Sequence, residues 1–251
     1  VGGVINVVTK RNILKNNYSV SVKSDQYNRK SLNLNTDYQK NLNSIGVNIS
    51  RENAVGYRDH SKYKKNTYSG LYRGLLNSTN ALNINFRYDE LNLENSGALT
   101  QDLLDKDHLQ SHSMYANDYR AYKKFGGTIQ YSLGSGNKLT ILSSFRTLDQ
   151  DETRTLQLTS NLGDSQFEKQ TSTVFWNQLK YDRALKNIRI LIGVDSEYGF
   201  FISNYFDIQK KQRLSDGSGT GNKLGLYFQA KSKIADRLGI IAVLRLDNIS
   251  N

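Results

Sequence analysis

Strict alternation of apolar and polar residues recurs along nearly the whole chain, and no other feature narrows its fold as far. Leu82, Ile84, Phe86 and Tyr88 alternate with Asn83, Asn85, Arg87 and Asp89, and Leu32, Leu34, Thr36 and Tyr38 with Asn33, Asn35 and Asp37. Ile45, Val47 and Ile49 face away from Gly46, Asn48 and Ser50, as Leu224, Leu226, Phe228 and Ala230 do from Tyr227, Gln229 and Lys231. Successive side chains of a strand point to opposite faces, so the pattern describes antiparallel strands with one apolar and one polar face. Few segments repeat apolar residues at i, i+3 and i+4, which argues against a mainly helical chain.

About eleven strands are expected, over 17–26, 30–40, 44–56, 65–77, 80–93, 117–133, 138–152, 172–185, 188–206, 222–233 and 238–249. Short polar turns (40–43, 77–79, 134–137, 185–187, 235–237) alternate with longer connections (57–64, 94–116, 153–171, 207–221), and 26–29 is the short member of the long class. Short turns at one rim and long loops at the other are the pattern of an antiparallel transmembrane β-barrel. A soluble β-sandwich shares the alternation but has no reason to sort its connections by parity.

Mean hydropathy is −0.62, and no apolar run approaches the ~18 residues of a membrane helix. The longest, Ile240-Ile241-Ala242-Val243-Leu244, is strand-sized. The absence of Pro suits strands whose every N–H is paired. Many of the 16 tyrosines fall near strand ends (Tyr18, Tyr57, Tyr63, Tyr119, Tyr131, Tyr181, Tyr198, Tyr205), the placement of aromatic girdles at membrane interfaces. Without Cys there is no disulfide, thiolate metal site or Cys nucleophile. The net charge of +11 is uneven: residues 1–75 hold thirteen Lys and Arg against four acids. Such a field favours anionic partners: nucleic acid, phosphorylated lipid or an acidic small ligand.

The chain opens on Val1-Gly2-Gly3-Val4-Ile5-Asn6-Val7-Val8-Thr9-Lys10, a flexible Gly-Gly followed by a β-branched strand. The string GGVINVVTK resembles the last strand of the plug domain in TonB-dependent outer-membrane receptors. Gly56-Tyr57-Arg58-Asp59-His60-Ser61 and Ser96-Gly97-Ala98-Leu99-Thr100, followed by Leu103 and Asp105-Lys106-Asp107, are similar to segments of siderophore receptors, most closely the ferric citrate branch. The resemblance implies a domain division: residues 1–12 as the end of the plug and residues 13–251 as the first half of the barrel. Barrels of this family have 22 strands, so about eleven make half of one, and the chain reads as an internal fragment. Further implications are a ferric siderophore or ferric citrate as cargo, the TonB complex as energy source through a missing N-terminal part, and the outer membrane of a Gram-negative bacterium as location. No enzymatic activity and no cofactor are implied.

The candidate ligand-binding residues are Arg58, His60, Lys62 and Lys64, with Lys65, in one predicted external loop, and Arg146 and Arg154 flanking another. Arg clamps a carboxylate through two parallel hydrogen bonds, so an anionic chelate fits such a mouth. The competing role for these cations is neutralising lipopolysaccharide phosphates. His108-x-x-x-His112 would place two imidazoles on one face of a helix, with Asp102, Asp105 and Asp107 nearby, but no third His accompanies them and solvated loop residues are favoured. Gly217-Ser218-Gly219-Thr220-Gly221 lacks the Lys-Ser/Thr of a phosphate loop and reads as a flexible external loop. Lys and Arg interleave with Tyr over 57–73 without any nucleic-acid-binding motif, so no nucleic acid is expected as partner. A passive channel and a surface β-rich binding protein are the alternatives to a receptor.

Overall fold

A computed structural model describes residues 15–26, 28–159, 162–208, 211–235 and 238–250, with side chains left out over 233–238. The plug strand expected at Val4–Thr9, like the whole of 1–12, lies outside the described residues. Eleven strands form one antiparallel sheet whose spatial order is the order of the chain. They are β1 (Asn17–Ser24), β2 (Lys30–Lys40), β3 (Asn43–Ala54), β4 (Tyr63–Leu75), β5 (Ala81–Glu94), β6 (Tyr119–Leu133), β7 (Asn137–Gln157), β8 (Gly163–Leu185), β9 (Ile188–Asp207), β10 (Gln212–Ala235) and β11 (Leu238–Ser250). Among the described residues the sheet is open, since β1 and β11 each pair on one side only.

Two expected loops are strands instead. Residues 153–157 and 163–171 continue β7 and β8, pairing from Thr153↔Phe167 to Gln157↔Gly163. Gly217–Gly221 lies inside β10, opposite Ser203–Gly199 of β9. The connections 158–162 and 208–211 are therefore no longer than the turn 76–80, and length sorts the rims only through 55–62 and 95–118. The rim that carries those loops is raised by tall strands, with 21, 23, 20 and 24 residues in β7 to β10. A membrane crossing needs ~9–11 residues of a tilted strand, so these four project well past one.

The two faces are inverted relative to a water-soluble protein. On the apolar face Val20 is 70% exposed, Ile129 53% and Phe86 48%, whereas on the polar face Thr67, Asp89 and Asp195 are 6–7% exposed. Among the described residues Tyr115 is the one buried hydrophobic side chain. Tyr38, Tyr72, Tyr131 and Tyr181 stand on the apolar face close to the short-turn rim. A second aromatic row crosses the same face nearer the other rim, through Tyr68↔Tyr88↔Phe125 and Phe145↔Phe175↔Tyr198. Ile, Leu and Val fill the band between, including Ile84, Ile129, Ile141 and Leu179. Tyr63 and Tyr205, expected in the girdles, instead fall on the polar face by register, and the Tyr205 hydroxyl donates to Glu168 at 2.9 Å.

Polar-face side chains are tied across strands. Arg245 of β11 donates to Asp195 of β9 at 3.1 Å and to Asp247 at 2.9–3.0 Å. Gly225 of β10 lies beneath this network, where a Cβ would strike the Asp195 carboxylate and the Arg245 guanidinium. Arg87 holds Asp89, which also accepts from Thr67 at 2.7 Å.

Candidate functional site

The six candidate cations do not converge on one place. Arg58 and His60 lie in the connection 55–62, which docks onto the long connection 95–118. Gly56 makes the entry turn with φ +93°, and a side chain there would meet Ser61. Arg58 donates from Nη1 to the Gly97 carbonyl at 2.7 Å, and from Nε and Nη2 to the Gln110 carbonyl at 3.0 and 2.9 Å. The Asp59 N–H donates to the Leu109 carbonyl at 2.8 Å. His60 Nε2 lies 2.6 Å from the Asp118 carbonyl. A carbonyl only accepts, so the proton sits on Nε2, and Nδ1 faces Glu94 at 3.8 Å.

The connection 95–118 is itself folded, with helix α1 (Gln101–Lys106) and a 3-10 turn at Ser113–Tyr115. His112 caps that turn, its Nδ1 accepting from the Met114 N–H at 3.1 Å, while His108 stacks obliquely on Tyr57 at 6.0 Å. The helix ends before either histidine, so His108 and His112 do not share a helical face. Among the described residues no His, Asp and Glu cluster has a metal-holding arrangement. Asp118, 1% exposed, closes the connection by accepting from the Thr155 N–H at 2.8 Å and hydroxyl at 2.7 Å. Gly97, at φ +63°, leaves room for the Tyr115 ring. Arg58 and Asp118 thus fasten the two sides of one capped loop.

Lys62 ends the same connection 55–62 as Arg58 and His60, and Lys64 stands two residues further on. Lys64 lies in β4, not in a loop, on the apolar-face side beyond Tyr68, and Lys62 approaches Glu94 at 3.9 Å. At the neighbouring hairpin, Arg29 pairs with Glu52 at 2.9 Å, and this hydrogen bond raises the guanidinium pKa above its ordinary value.

Arg146 and Arg154 are both in β7 and both on the polar face, eight positions or about 26 Å apart along the strand. Arg146 lines a groove of about 390 Å³ with Arg87, Lys124, Trp176 and Glu197. Asp89 occupies Arg87 at 2.6 Å. Arg146 and Lys124 form no ion pair among the described residues, which leaves two cations beside an indole on the polar wall. Sequence reasoning passed over Lys124 and Trp176. Both sit at polar-face positions of the alternation, and Trp176 is the chain's single Trp, so extending the count through β6 and β8 would have found them.

No protein-family profile matches the chain, and no curated protein matches it. Solved structures do match. The ferric citrate transporter FecA in its unliganded form aligns with a TM-score of 0.70 at 14% identity, covering 92% of this chain and 37% of that one. The ferric-catecholate import receptor Fiu of E. coli K12, in its open form, gives 0.75 at 12% identity over 96% and 45% of the two chains. The siderophore receptor PiuA from Acinetobacter baumannii gives 0.72 at 13% identity over 97% and 43%. The chain spans less than half the length of each of these proteins. At such identities the likeness is one of fold, and the fold is a partial barrel of the kind found in TonB-dependent receptors. These neighbours are transporters and receptors rather than enzymes.

Proposed function

We propose that this chain is the first half of the barrel of a TonB-dependent outer-membrane receptor that imports a ferric chelate, residues 1–12 being the end of its plug and 13–251 barrel wall. The observation that carries the reading is the inverted burial. Polar and charged side chains are sheltered on one face while Val, Ile, Leu and Phe are exposed on the other, which suits a wall between lipid and a wet lumen. The solved structures with the same fold, by their titles, handle ferric citrate, a ferric catecholate and a siderophore.

The apolar face meets lipid, and the rim with 55–62 and 95–118 faces outward from the cell. An anionic, carboxylate-type chelate fits the unpaired cations of the polar face, Arg146 and Lys124, with Arg154 nearer the mouth. Arg58 and His60 serve this ligand indirectly by holding the capped loop in place. The TonB complex acts through parts that precede this segment.

The test uses the intact receptor. Iron-limited growth on a panel of ferric chelates identifies the cargo in a strain lacking the receptor gene and complemented with it. Binding is then measured for Arg146→Ala and Arg154→Ala. Loss of a charge-assisted contact costs on the order of 1.5–3 kcal/mol, so affinity falls tenfold or more. Unchanged affinity in both variants, with altered outer-membrane integrity, assigns these cations to lipopolysaccharide instead.

A further inference from the structure

One row of the apolar face is polar where its neighbours are not. Between the aromatic row Phe145↔Phe175↔Tyr198 and the aliphatic row Ile141↔Leu179↔Val194, strands β7, β8 and β9 carry Ser143↔Asn177↔Ser196. On β4 to β6 the same row is apolar, Tyr72↔Ile84↔Ile129, and it turns polar at Ser143. The Ser143 hydroxyl donates to the Asn177 side-chain oxygen at 2.8 Å. The Asn177 amide nitrogen, with two N–H donors, and the Ser196 hydroxyl form no hydrogen bond among the described residues. Hydrocarbon offers such groups no partner, so leaving them against lipid is costly. The row carries no charge, and its apolar neighbours Ile141, Phe175, Leu179 and Tyr198 are each 44% exposed.

We infer that this row is a self-association face, on which a second copy of the same protein packs against β7 to β9 within the membrane. Both copies cross the membrane in the same sense, so the two-fold axis between them runs along the membrane normal and the interface is isologous. An axis passing Asn177 sets the two Asn177 amides against each other. Each N–H donates to the other's side-chain oxygen, which keeps a lone pair beside the bond from Ser143. Amides and hydroxyls both donate and accept, so the patch is complementary to itself with no counter-charge. A charged partner would find nothing here to answer it. The aromatic row above and the aliphatic row below supply the packed border of the contact. The inference rests on the outer-membrane reading above, because in water the same groups would be hydrated and need no partner.

The experiment takes the intact protein. Fractionation to the outer membrane and the heat-dependent gel shift of a folded barrel are checked first, because failure there overturns the receptor reading itself. The protein is then reconstituted in phospholipid vesicles at graded density, and energy transfer between labelled copies gives the dissociation constant of the dimer. Asn177→Leu should raise that constant tenfold or more and keep the gel shift, since Leu already stands at the neighbouring lipid-facing position 179. Ile84→Leu, three strands away on the same row, should leave it unchanged. In native membranes Asn177→Cys should give a disulfide-linked dimer on oxidation, and Ile84→Cys should not. Equal dissociation constants for wild type and a folded Asn177→Leu variant, or a wild type that is monomeric at every density, overturn the face. Absence of the oxidised dimer overturns it whatever the Leu variant does. Cross-linking of Asn177→Cys to a different envelope protein assigns the row to that protein and overturns the second copy.

Discussion

Arg58 gives hydrogen bonds from all three of its nitrogens to backbone carbonyls, and those carbonyls lie on either side of α1 in the connection 95–118. A guanidinium is suited to this because its fork is planar and permanently charged. Replacing it by Ala removes several charge-assisted bonds and leaves the Gly97 and Gln110 carbonyls without that donor. On the order of 2 kcal/mol of local stability is lost. Hydrogen exchange in the intact receptor should then accelerate roughly thirtyfold over 55–62 and 95–118, with β2 to β5 unchanged. Arg58→Lys should restore little, since a single ammonium cannot reach both carbonyls. Exchange that stays at the wild-type rate in Arg58→Ala would mean that Asp118 and Thr155 hold the connection unaided.

Strands were legible wherever one face is apolar. Ile84 and Phe86 pair with Tyr72, Gly70, Ile129 and Gly127, all on the same face, and their spacing of two announces the pleat. The upper parts of β7, β8 and β10 were not legible. Thr153–Gln157, Gly163–Thr171 and Gln212–Gly221 are polar apart from the isolated Leu156, Phe167 and Leu214, so no period survives, and the ladder of backbone hydrogen bonds carries most of the strand. The candidate site was half legible for a related reason. Residue type marked the cations, but side of the sheet depends on parity, and one misjudged boundary at 57–64 moved Lys64 from a strand face into a loop.

Single cysteines test the faces directly in a chain that has none of its own. Cysteines at Ile84 and Phe86 should be shielded from a water-soluble thiol reagent in native membranes, and one at Asn85 should react. Equal labelling of all three would overturn the barrel assignment. The rims are tested by epitopes. One inserted at exposed Leu104 or in 158–162 should be detected on intact cells, and one at Gly136, where nothing stands within 4 Å of an added Cβ, only after permeabilisation. The reverse pattern would place the capped loop inside the cell envelope.

At the scale of the whole molecule, the sheet has two unpaired edges and no apolar core among the described residues. Chain-order pairing from β1 to β11 leaves the outer N–H and C=O groups of both edge strands without a neighbour. Such edges template association with other chains. The apolar face adds a second drive. Each Val, Leu, Ile or Phe left in water forgoes about 1.5–3 kcal/mol of burial, and exposed hydrophobics extend from Tyr18 to Ile249. The net charge of +11 opposes association only at long range, because ions screen it beyond ~8–10 Å at physiological salt. Contact between edges and apolar faces therefore wins over charge repulsion. Residues 1–251 produced alone should aggregate in aqueous buffer, the more readily as salt rises. In non-ionic micelles the same chain should stay dispersed with a β-type circular dichroism spectrum. Light scattering across a salt series distinguishes the cases, and a monodisperse, folded chain in detergent-free buffer would show that the apolar face is covered by protein rather than lipid.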